Sequence, residues 1–390
     1  MTGPFATLGI KQSQGAQLAL EELKREGGLF ADMVWFIEDS EARPPTAVRK
    51  AERLIKENGV QFITGTISSA AALAVREVID KEKVFFTPTV GANEITTFDE
   101  KCSRFLFRTE LMVWQVEGGA VANLVRGLVK EGKLGKRYWM LIPGYAYGFS
   151  ARDTWRLKTK DFLEEVGYSE EPGLGLTDHS AIITAIGAAR DAGKVDWIWT
   201  PLLGSPLVTF MQQASDAGLI GTDKPRLPVV DPILQFNIRE VGDIAVGHFT
   251  GIRYSLLHDT KENEAFITAF FKRWQDFPDN FAHNAYVAVK MLAEGIKEAK
   301  SIDRDKLLEV LEKEKRFKAP MGESFFRCID HQIVRDIGAG QIVKGGQFVV
   351  QKSVFNVTFP VEKQIGSLLP GAEAIKGVEP FQKCKVGKCG

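Results

Sequence analysis

A turn of small and hydroxyl-bearing residues is the first place where this sequence could do chemistry. Residues 65–69 (Gly-Thr-Ile-Ser-Ser) separate the apolar, β-branched run 60–64 from an alanine-rich segment with helical spacing. A helix that begins at a serine pair leaves unpaired backbone N–H groups and the positive end of its dipole at its N-terminus, which suits a carboxylate. Ser68 or Ser69 would equally suit a simple N-cap, so the turn predicts either an anion site or a capped helix.

Catalytic motifs are sparse in the rest of the sequence. Five histidines are dispersed, at positions 179, 248, 258, 283 and 331, and only Asp330-His331 places an acid next to an imidazole. The nucleophile elbow Gly-x-Ser-x-Gly is absent, and so are a Walker A loop and a Gly-x-Gly-x-x-Gly that opens a helix after the first strand. The residues therefore give little support to a hydrolase of the triad type or to a nucleotide-phosphate site.

Cysteine usage leaves the redox compartment open. Cys102, Cys328, Cys384 and Cys389 are too few and too scattered for a disulfide framework or a zinc cluster, so no metal site is predicted. The C-terminal pair, spaced Cys-x4-Cys, suits either a tail disulfide in an oxidising compartment or two solvated thiols.

Length and composition favour two domains and a small-molecule or protein partner. The 390 residues, with 44% hydrophobic content, are enough for two cores. Fifty basic residues balance fifty acidic ones without a basic stripe, which argues against nucleic acid and anionic membranes as partners. No apolar run reaches the roughly 18 to 20 residues of a membrane span, and no basic and apolar leader follows Met1, so neither membrane insertion nor export is predicted from the residues.

Strands and helices alternate through the first two thirds of the chain, which predicts right-handed βαβ units and parallel sheets covered by helices. The turn 65–69 should therefore lie at the carboxyl edge of such a sheet. The predicted helices are amphipathic segments at 13–26, 45–58, 69–81, 116–131, 150–166, 179–192 and 206–217. The predicted strands are short apolar runs at 33–37, 60–64, 84–87, 105–107, 138–142, 197–200 and 227–230.

The last third of the chain has a different pattern. Two long amphipathic helices are predicted at 263–275 and 282–299. Short glycine-containing strands at 327–330, 333–337 and 347–352 are more typical of antiparallel pairing. Aromatic side chains that could line a pocket, although a single aromatic is more often core, are Trp114, Tyr147, Tyr254 and Phe281.

Seven short motifs follow one another along the chain. They are Thr2-Gly3-Pro4-Phe5-Ala6-x-x-Gly9, the helix with Gly15-Ala16 and Ala19 that ends at Gly27-Gly28, Glu38-Asp39, the turn 65–69, Thr87-Pro88-Thr89, Phe107-Arg108-Thr109 and Tyr147-Gly148. Their order and spacing resemble those of periplasmic solute-binding proteins of the branched-chain amino acid type, over nearly the whole chain. Asp330-His331-Gln332 adds to the resemblance, because this family often carries Asp-His-Gln in its C-terminal part without a catalytic role.

The resemblance implies an α/β protein with a type I periplasmic binding fold, in which two Rossmann-like lobes each have a parallel sheet flanked by helices. Three crossings of the chain would join the lobes, near 109–113, 247–253 and 321–328. The N-terminal lobe would then comprise 1–110 and 252–322, and the C-terminal lobe 111–251 and 323–390. A ligand would be held in the cleft between the lobes and trapped by hinge closure.

The same resemblance implies the extracytoplasmic solute-binding component of an ABC-type uptake system. It would bind a small carboxylate-bearing solute, such as an amino acid or a related carboxylate or amide, and pass it to a membrane permease without catalysis, cofactor or metal. A periplasmic or extracellular location is implied by the family alone. The alternative is a ligand-sensing receptor domain of the same fold; a permease partner or a ligand-dependent dimer would separate the two.

The resemblance also implies which residues bind the ligand. The family's carboxylate-binding serine falls on Ser69, and adjoining backbone contacts fall on 89–91. Arg108 ends a strand near a crossing and is expected to form a structural ion pair rather than an anion clamp. The implied ligand-binding residues are Thr66, Ser68, Ser69, Thr89, Val90, Gly91, Leu8, Leu203, Asp231, Tyr147, Phe281 and Trp114.

Several of these positions depart from the family pattern. One family tyrosine, in the loop after the first strand, falls on Leu8, and another falls on Leu202 or Leu203. The acid that receives an amino acid's ammonium falls near Asp231, but the second acid, expected near Val113, is missing. The predicted pocket therefore suits an aromatic or aliphatic carboxylate, or an amide, about as well as a free α-amino acid.

The beginning of the chain also differs from the family. There, Thr2-Gly3-Pro4 follows directly on an apolar first strand that a secretion signal precedes, and neither stands ahead of Met1. Because that strand lies inside the first lobe's sheet, we expect its neighbours to leave N–H and C=O groups unpaired in a buried place. Either the chain is a fragment or its start is misplaced, and adding about ten apolar, β-rich residues ahead of Met1 should raise the melting temperature.

Overall fold

The computed structural model describes residues 1–96, 103–232, 237–328, 330–345 and 348–352. These residues form two compact units. Among the described residues, the first unit contains 1–112 and 254–336, and the second contains 113–253 and 337–352.

The first unit has six α-helices among its described residues. The N-terminal helix begins at Ala6, earlier than predicted, and Gly27 caps its C-terminal end with a φ of 75°, which suits glycine. A Cβ on Gly15 would lie 1.9 Å from the carbonyl oxygen of Ala282, so glycine permits this helix to pack against the one at 280–299. The helices are α1 (Ala6–Glu26), α2 (Pro44–Lys56), α3 (Ser69–Glu82), α10 (Lys261–Trp274), α11 (Asn280–Ala299) and α12 (Arg304–Leu311).

Two small sheets belong to the first unit. β1 (Phe62–Thr64) and β2 (Phe85–Thr87) pair in parallel, and Leu106 forms an isolated parallel bridge with Phe86. β8 (Phe317–Ala319), β9 (Gly322–Phe326) and β10 (Ile333–Val334) form an antiparallel sheet in the order β10-β9-β8. Because these three strands pair with one another, the chain stays in the first unit until Asp336, beyond the predicted third crossing.

The predicted strand at 33–37 is wrong, because these residues have no regular secondary structure. β1 is a terminal strand in the sheet order of the described residues, so its outer edge is unpaired. No described strand lies between that edge and 33–37, and 33–37 therefore has no neighbour to pair with. Val34 and Ile37 are consequently 70% and 52% exposed. A cavity of about 170 Å³ lies between this segment and the edge of β1, and Met1 and Thr2 also line it.

The second unit is built on a seven-stranded mixed sheet. Five of its strands run parallel and the last two are antiparallel additions. The strands are β3 (Arg137–Pro143), β4 (Glu164–Glu171), β5 (Trp197–Trp199), β6 (Val229–Val230), β7 (Phe249–Ile252), β11 (Gly338–Gly345) and β12 (Phe348–Lys352). Their order in the sheet is β12-β11-β7-β6-β5-β3-β4.

Helices cover this sheet, and its core contains several tryptophans. Trp155 stacks on Trp199 with ring centroids 4.7 Å apart, and both are fully buried. The predicted helix 150–166 is too long: it ends at Thr159, and its last residues form the beginning of β4. The helices are α4 (Val113–Gln115), which continues through a π-helical turn (Val116–Val121) into α5 (Ala122–Lys130), α6 (Ala146–Thr159), α7 (Ser180–Asp191), α8 (Gly204–Asp216) and α9 (Ile238–Val241).

Three sequence-based expectations concern membranes, metals and cysteines. In the part of the chain that the structure describes, no helix is both long and apolar enough to cross a membrane. Nor do acidic residues, histidines and cysteines cluster there in a way that could hold a metal ion. Cys328 is disulfide-bonded, whereas Cys102 and the predicted Cys384–Cys389 pair lie outside the described residues.

Candidate functional site

The turn after β1 lies at the carboxyl edge of the first unit's parallel sheet, where the sequence placed it. Ser68 is the N-cap of α3, because its Oγ accepts a hydrogen bond from the Ala71 N–H at 3.4 Å. The Thr66 hydroxyl donates to the Ser68 carbonyl oxygen at 2.9 Å and closes the turn. The N-cap interpretation therefore holds for Ser68.

Ser69 connects this turn to the loop that follows β2. Its Oγ accepts the N–H of Ala92 at 3.4 Å, so its own proton is left to donate to a further acceptor. From the same loop, Thr89 donates its hydroxyl to the Thr66 carbonyl oxygen at 3.0 Å and accepts a hydrogen bond from Gln12. These hydrogen bonds bring together four of the sequence-predicted residues, Thr66, Ser68, Ser69 and Thr89. The predicted residues Val90 and Gly91 lie in the same loop, between Thr89 and Ala92.

The N-terminus of α3 adds a favourable field for an anion. The helix has 14 residues and no acidic residue in its first turn, so no side-chain charge there offsets the positive end of its dipole. Hydroxyl groups, backbone N–H groups and a helix N-terminus are together the chemistry that binds a carboxylate without a metal.

Arg108 supports the loop after β2 from inside the unit. Its side chain is fully buried, and Nη1 donates to the carbonyl oxygens of Val90, at 3.2 Å, and of Ala92. Nη2 donates to the Thr96 hydroxyl and Nε to the side-chain oxygen of Gln332. The expected ion pair is thus replaced by neutral oxygens, and burial lowers the pKa of Arg108 to about 9.

The Asp-His-Gln motif at 330–332 packs around Arg108. Gln332 accepts from Arg108 through Oε1 and donates through Nε2 to the Glu110 carbonyl oxygen at 2.8 Å. His331 stacks on Phe107 with ring centroids 4.0 Å apart. These contacts give the motif a role in packing the strand that carries Arg108.

A second polar cluster lies in the second unit. Asp231 follows β6 and Tyr147 lies in the first turn of α6, so both stand at the carboxyl edge of that sheet. The Tyr147 hydroxyl donates to Glu117 Oε1 at 2.6 Å, and Arg253 donates to the same oxygen. Asp231 Oδ1 accepts the Gly251 N–H at 3.3 Å.

The charges of this cluster would not balance if both of its acids were ionised. Two buried carboxylates, Glu117 and Asp231, face one guanidinium, that of Arg253. Burial, and next the negative charge of Glu117, hold the pKa of the Asp231 carboxyl well above its usual range. Glu117 Oε2 and Asp231 Oδ2 are buried without a hydrogen-bond partner among the described residues, so the cluster is suited to a further hydrogen-bond donor.

Sequence reasoning missed Glu117. The family pattern places a second acid near Val113, where the sequence has none, but Glu117 stands one helical turn farther along the same helix. The π-helical turn at 116–121 contains Glu117, and such turns are frequent at functional sites. The four-residue offset, which keeps a side chain on the same helix face, was the available signal.

Four apolar members of the predicted site occupy separate places. The expectation that Leu8 lies in a loop is wrong, because it is buried within α1. Phe281 is buried in the first turn of α11, and Leu203 is the N-cap residue of α8. Trp114 lies in α4 with Lys158 Nζ 3.9 Å from its ring centroid. That these four line a ligand pocket stays a prediction.

The raised pKa of Asp231 predicts a pH dependence of stability. The folded chain keeps this proton while the unfolded chain loses it near pH 4, so the stability that Asp231 contributes falls as the pH rises above about 4. Asp231→Asn should remove this decrease of stability with pH. Its melting temperature should therefore rise relative to that of the wild type as the pH is raised from 4 to 8. Exposed Asp216→Asn is the matched control; equal pH slopes in Asp231→Asn and the wild type would refute the protonated Asp231.

Two α/β units, each with polar groups at the carboxyl edge of a parallel sheet, define a type I periplasmic binding fold. Residues 1–347 match the family described as periplasmic binding protein, and the chain belongs to that family. This confirms the resemblance that the motifs indicated.

Individual relatives give the family context. The chain is 27% identical over 329 residues to the leucine-, isoleucine-, valine-, threonine- and alanine-binding protein of Pseudomonas aeruginosa, with 84% of this chain and 83% of the relative covered. Among solved structures, it resembles an ABC-transporter solute-binding protein of Rhodopseudomonas palustris in complex with 3,4-dihydroxybenzoic acid (TM-score 0.78, 23% identity, 92% and 95% covered). It also resembles an amino acid ABC-transporter substrate-binding protein of Pseudomonas fluorescens (TM-score 0.78, 22% identity, 93% and 95% covered).

Proposed function

We propose that this protein is the extracytoplasmic solute-binding component of an ABC-type uptake system, and that its solute carries a carboxylate. The observation that supports this most is the position of Ser69. Its hydroxyl proton is left to donate at the N-terminus of α3, at the carboxyl edge of the sheet. Binding would involve no chemical step and no cofactor. Membership of the periplasmic binding protein family supports delivery to a membrane permease and a periplasmic or extracellular location.

The second cluster supports a solute with a hydrogen-bond donor as well as a carboxylate. Glu117 Oε2 and Asp231 Oδ2 are buried oxygens that have no hydrogen-bond partner among the described residues. An ammonium group or an aromatic hydroxyl would satisfy them. Amino acids have the first, and the dihydroxybenzoic acid bound by the Rhodopseudomonas palustris protein has the second. The proposed solute class is therefore amino acids and related carboxylates or amides.

Replacing the two serines one at a time tests the assignment of the carboxylate site. Ser69→Ala should weaken solute binding about 10- to 100-fold, because it removes a hydrogen bond to a charged group worth about 1.5–3 kcal/mol. Ser68→Ala should mainly lower the melting temperature through loss of an N-cap, at a cost of about 1 kcal/mol. Titration calorimetry of both variants with the same solute separates the two roles.

The design includes a control for nonspecific effects of losing a hydroxyl. Thr184→Ala removes an exposed hydroxyl that donates only to the Ser180 carbonyl oxygen in α7 of the second unit. It should bind solute as the wild type does. Unchanged affinity in Ser69→Ala would overturn the assignment of Ser69, and a larger loss in Ser68→Ala would transfer the role to that residue.

A further inference from the structure

The loop after β2 is held by Arg108 in one defined orientation. The guanidinium is fully buried and donates to the carbonyl oxygens of Val90 and Ala92, which flank Gly91 on both sides. Its other donors are anchored by Thr96 and Gln332, so it cannot turn without breaking those bonds. A planar guanidinium with several donors in a fixed fork is well suited to this task.

The geometry of the peptide bond carries this orientation to Gly91. In the described residues the cis peptide bonds are Gly65-Thr66 and Lys224-Pro225, so the bond between Val90 and Gly91 is trans. In a trans peptide the carbonyl oxygen and the next N–H point in opposite directions. Because the Val90 oxygen points to Arg108, the Gly91 N–H points away from it.

A second contact constrains the next peptide plane. The Ala92 N–H points to Ser69 Oγ, so the Gly91 carbonyl oxygen, in the same plane, points away from Ser69. No carbonyl oxygen of Gly91 is therefore directed at the serine hydroxyl, where it would repel a carboxylate. If the peptide plane between Val90 and Gly91, or the one between Gly91 and Ala92, were flipped, a carbonyl oxygen would take the place of an N–H donor.

We propose that Arg108 is a positioning residue for carboxylate recognition: by fixing the carbonyl oxygens of Val90 and Ala92 it keeps the Gly91 N–H available as an anion donor beside Ser69. The inference rests on the proposed function and adds the group that sets its selectivity. Arg108 itself is buried behind the loop and acts through it. Gln332, which accepts from Arg108 Nε, extends this role to the Asp-His-Gln motif.

The test compares a carboxylate with its neutral carboxamide. Probe pairs are leucine with leucinamide and benzoate with benzamide, measured by titration calorimetry on the full chain. Arg108→Lys keeps the positive charge but cannot hold both carbonyl oxygens, and it should lower the preference for the carboxylate about tenfold. Carboxamide affinity should change less than about twofold, because a neutral amide can accept or donate at a rotated peptide.

Two further variants keep the test decisive if Arg108→Lys folds poorly. Thr96→Val removes one anchor of the guanidinium with little change in shape, and it should lower the same preference by a smaller factor. Replacing Gly91 by glycolic acid, which turns its N–H into an ester oxygen, should remove the preference, and Arg108→Lys should then have no further effect on it.

The outcomes separate the inference from the function on which it rests. An equal loss of affinity for carboxylate and carboxamide in Arg108→Lys would show a merely structural arginine and overturn the positioning role. Additive effects of Arg108→Lys and the ester would do the same. A wild-type chain that binds neither member of either pair, while still melting cooperatively, would overturn the proposed function together with the inference.

Discussion

Adding an apolar strand ahead of Met1 is expected to raise the melting temperature of this protein by about 5–10 °C. Among the described residues, the backbone of β1 is paired on one side only: Gln61 and Gly65 form hydrogen bonds with β2 and its flanking residues. Because bonding alternates along a parallel strand, Phe62 and Thr64 direct their N–H and C=O groups to the other side, toward the cavity.

An added strand would fill that cavity from the end where the chain already lies. Met1 and Thr2 line the cavity, so a segment joined to Met1 needs no long connection to reach it. Burying its apolar side chains, and covering Val34 and Ile37, should stabilise the first unit by about 2–4 kcal/mol after the ordering cost. The residues at 33–37 would gain a neighbour and could then pair as the strand that the sequence predicted.

The matched controls keep the length of the addition constant. A glycine-serine extension lacks apolar side chains, and an apolar extension with proline at alternate positions lacks the N–H groups that β1 needs. Neither should raise the melting temperature by more than about 1 °C. Hydrogen exchange should show new protection of the Phe62 and Thr64 amides with the apolar strand only. The same melting temperature with all three extensions would contradict an open strand position.

Removing Glu117 should have the largest destabilising effect of any single change in the second polar cluster. The Glu117–Arg253 pair is almost completely buried, with side chains 0% and 4% exposed, and Tyr147 donates to the same carboxylate. Glu117→Ala would leave a buried guanidinium and a buried hydroxyl without this acceptor. The expected loss is about 3–5 kcal/mol of unfolding free energy, measured by denaturant titration.

Two companion variants test whether the unpaired charge causes the loss. Glu117→Gln keeps an acceptor oxygen in place and should cost less than half as much. Replacing both partners, as Glu117→Leu with Arg253→Met, removes both charges and should also be milder than Glu117→Ala alone, because no buried charge is left uncompensated. A double replacement as harmful as the sum of its single changes would show that packing, and not the charge, dominates.

The sequence predicted the fold best where local pattern and final environment agree. Buried strands such as β2 and β5 are continuous apolar runs, and their predicted positions lie within one or two residues of the observed ones. β4 was missed because it is an edge strand whose exposed, acidic residues show no apolar period. The segment 33–37 has the strand pattern but no neighbour, and a strand exists only when its backbone groups are paired.

The candidate site was predictable in its types of residue but not in their roles. A serine pair before a helix indicates capping and anion binding alike, and the contact from Ala92 to Ser69, 23 residues apart, distinguishes the two serines. Glu117 escapes the sequence comparison because it stands four residues, about one helical turn, beyond the family position near Val113. The task of Arg108 depends on carbonyl oxygens of a distant loop, which no local pattern encodes.

The most direct test of the central claim is a thermal-shift screen of the wild-type chain and Ser69→Ala. The solutes would be amino acids, small amides, and aliphatic and aromatic carboxylates. At a hundred times its dissociation constant a solute stabilises the folded chain by about 2.7 kcal/mol, enough to raise the melting temperature by several degrees. We expect at least one carboxylate to do so with the wild type and not with Ser69→Ala at the same concentration. A chain that melts cooperatively and responds to none of these solutes, or responds equally in both proteins, would contradict a carboxylate receptor centred on Ser69.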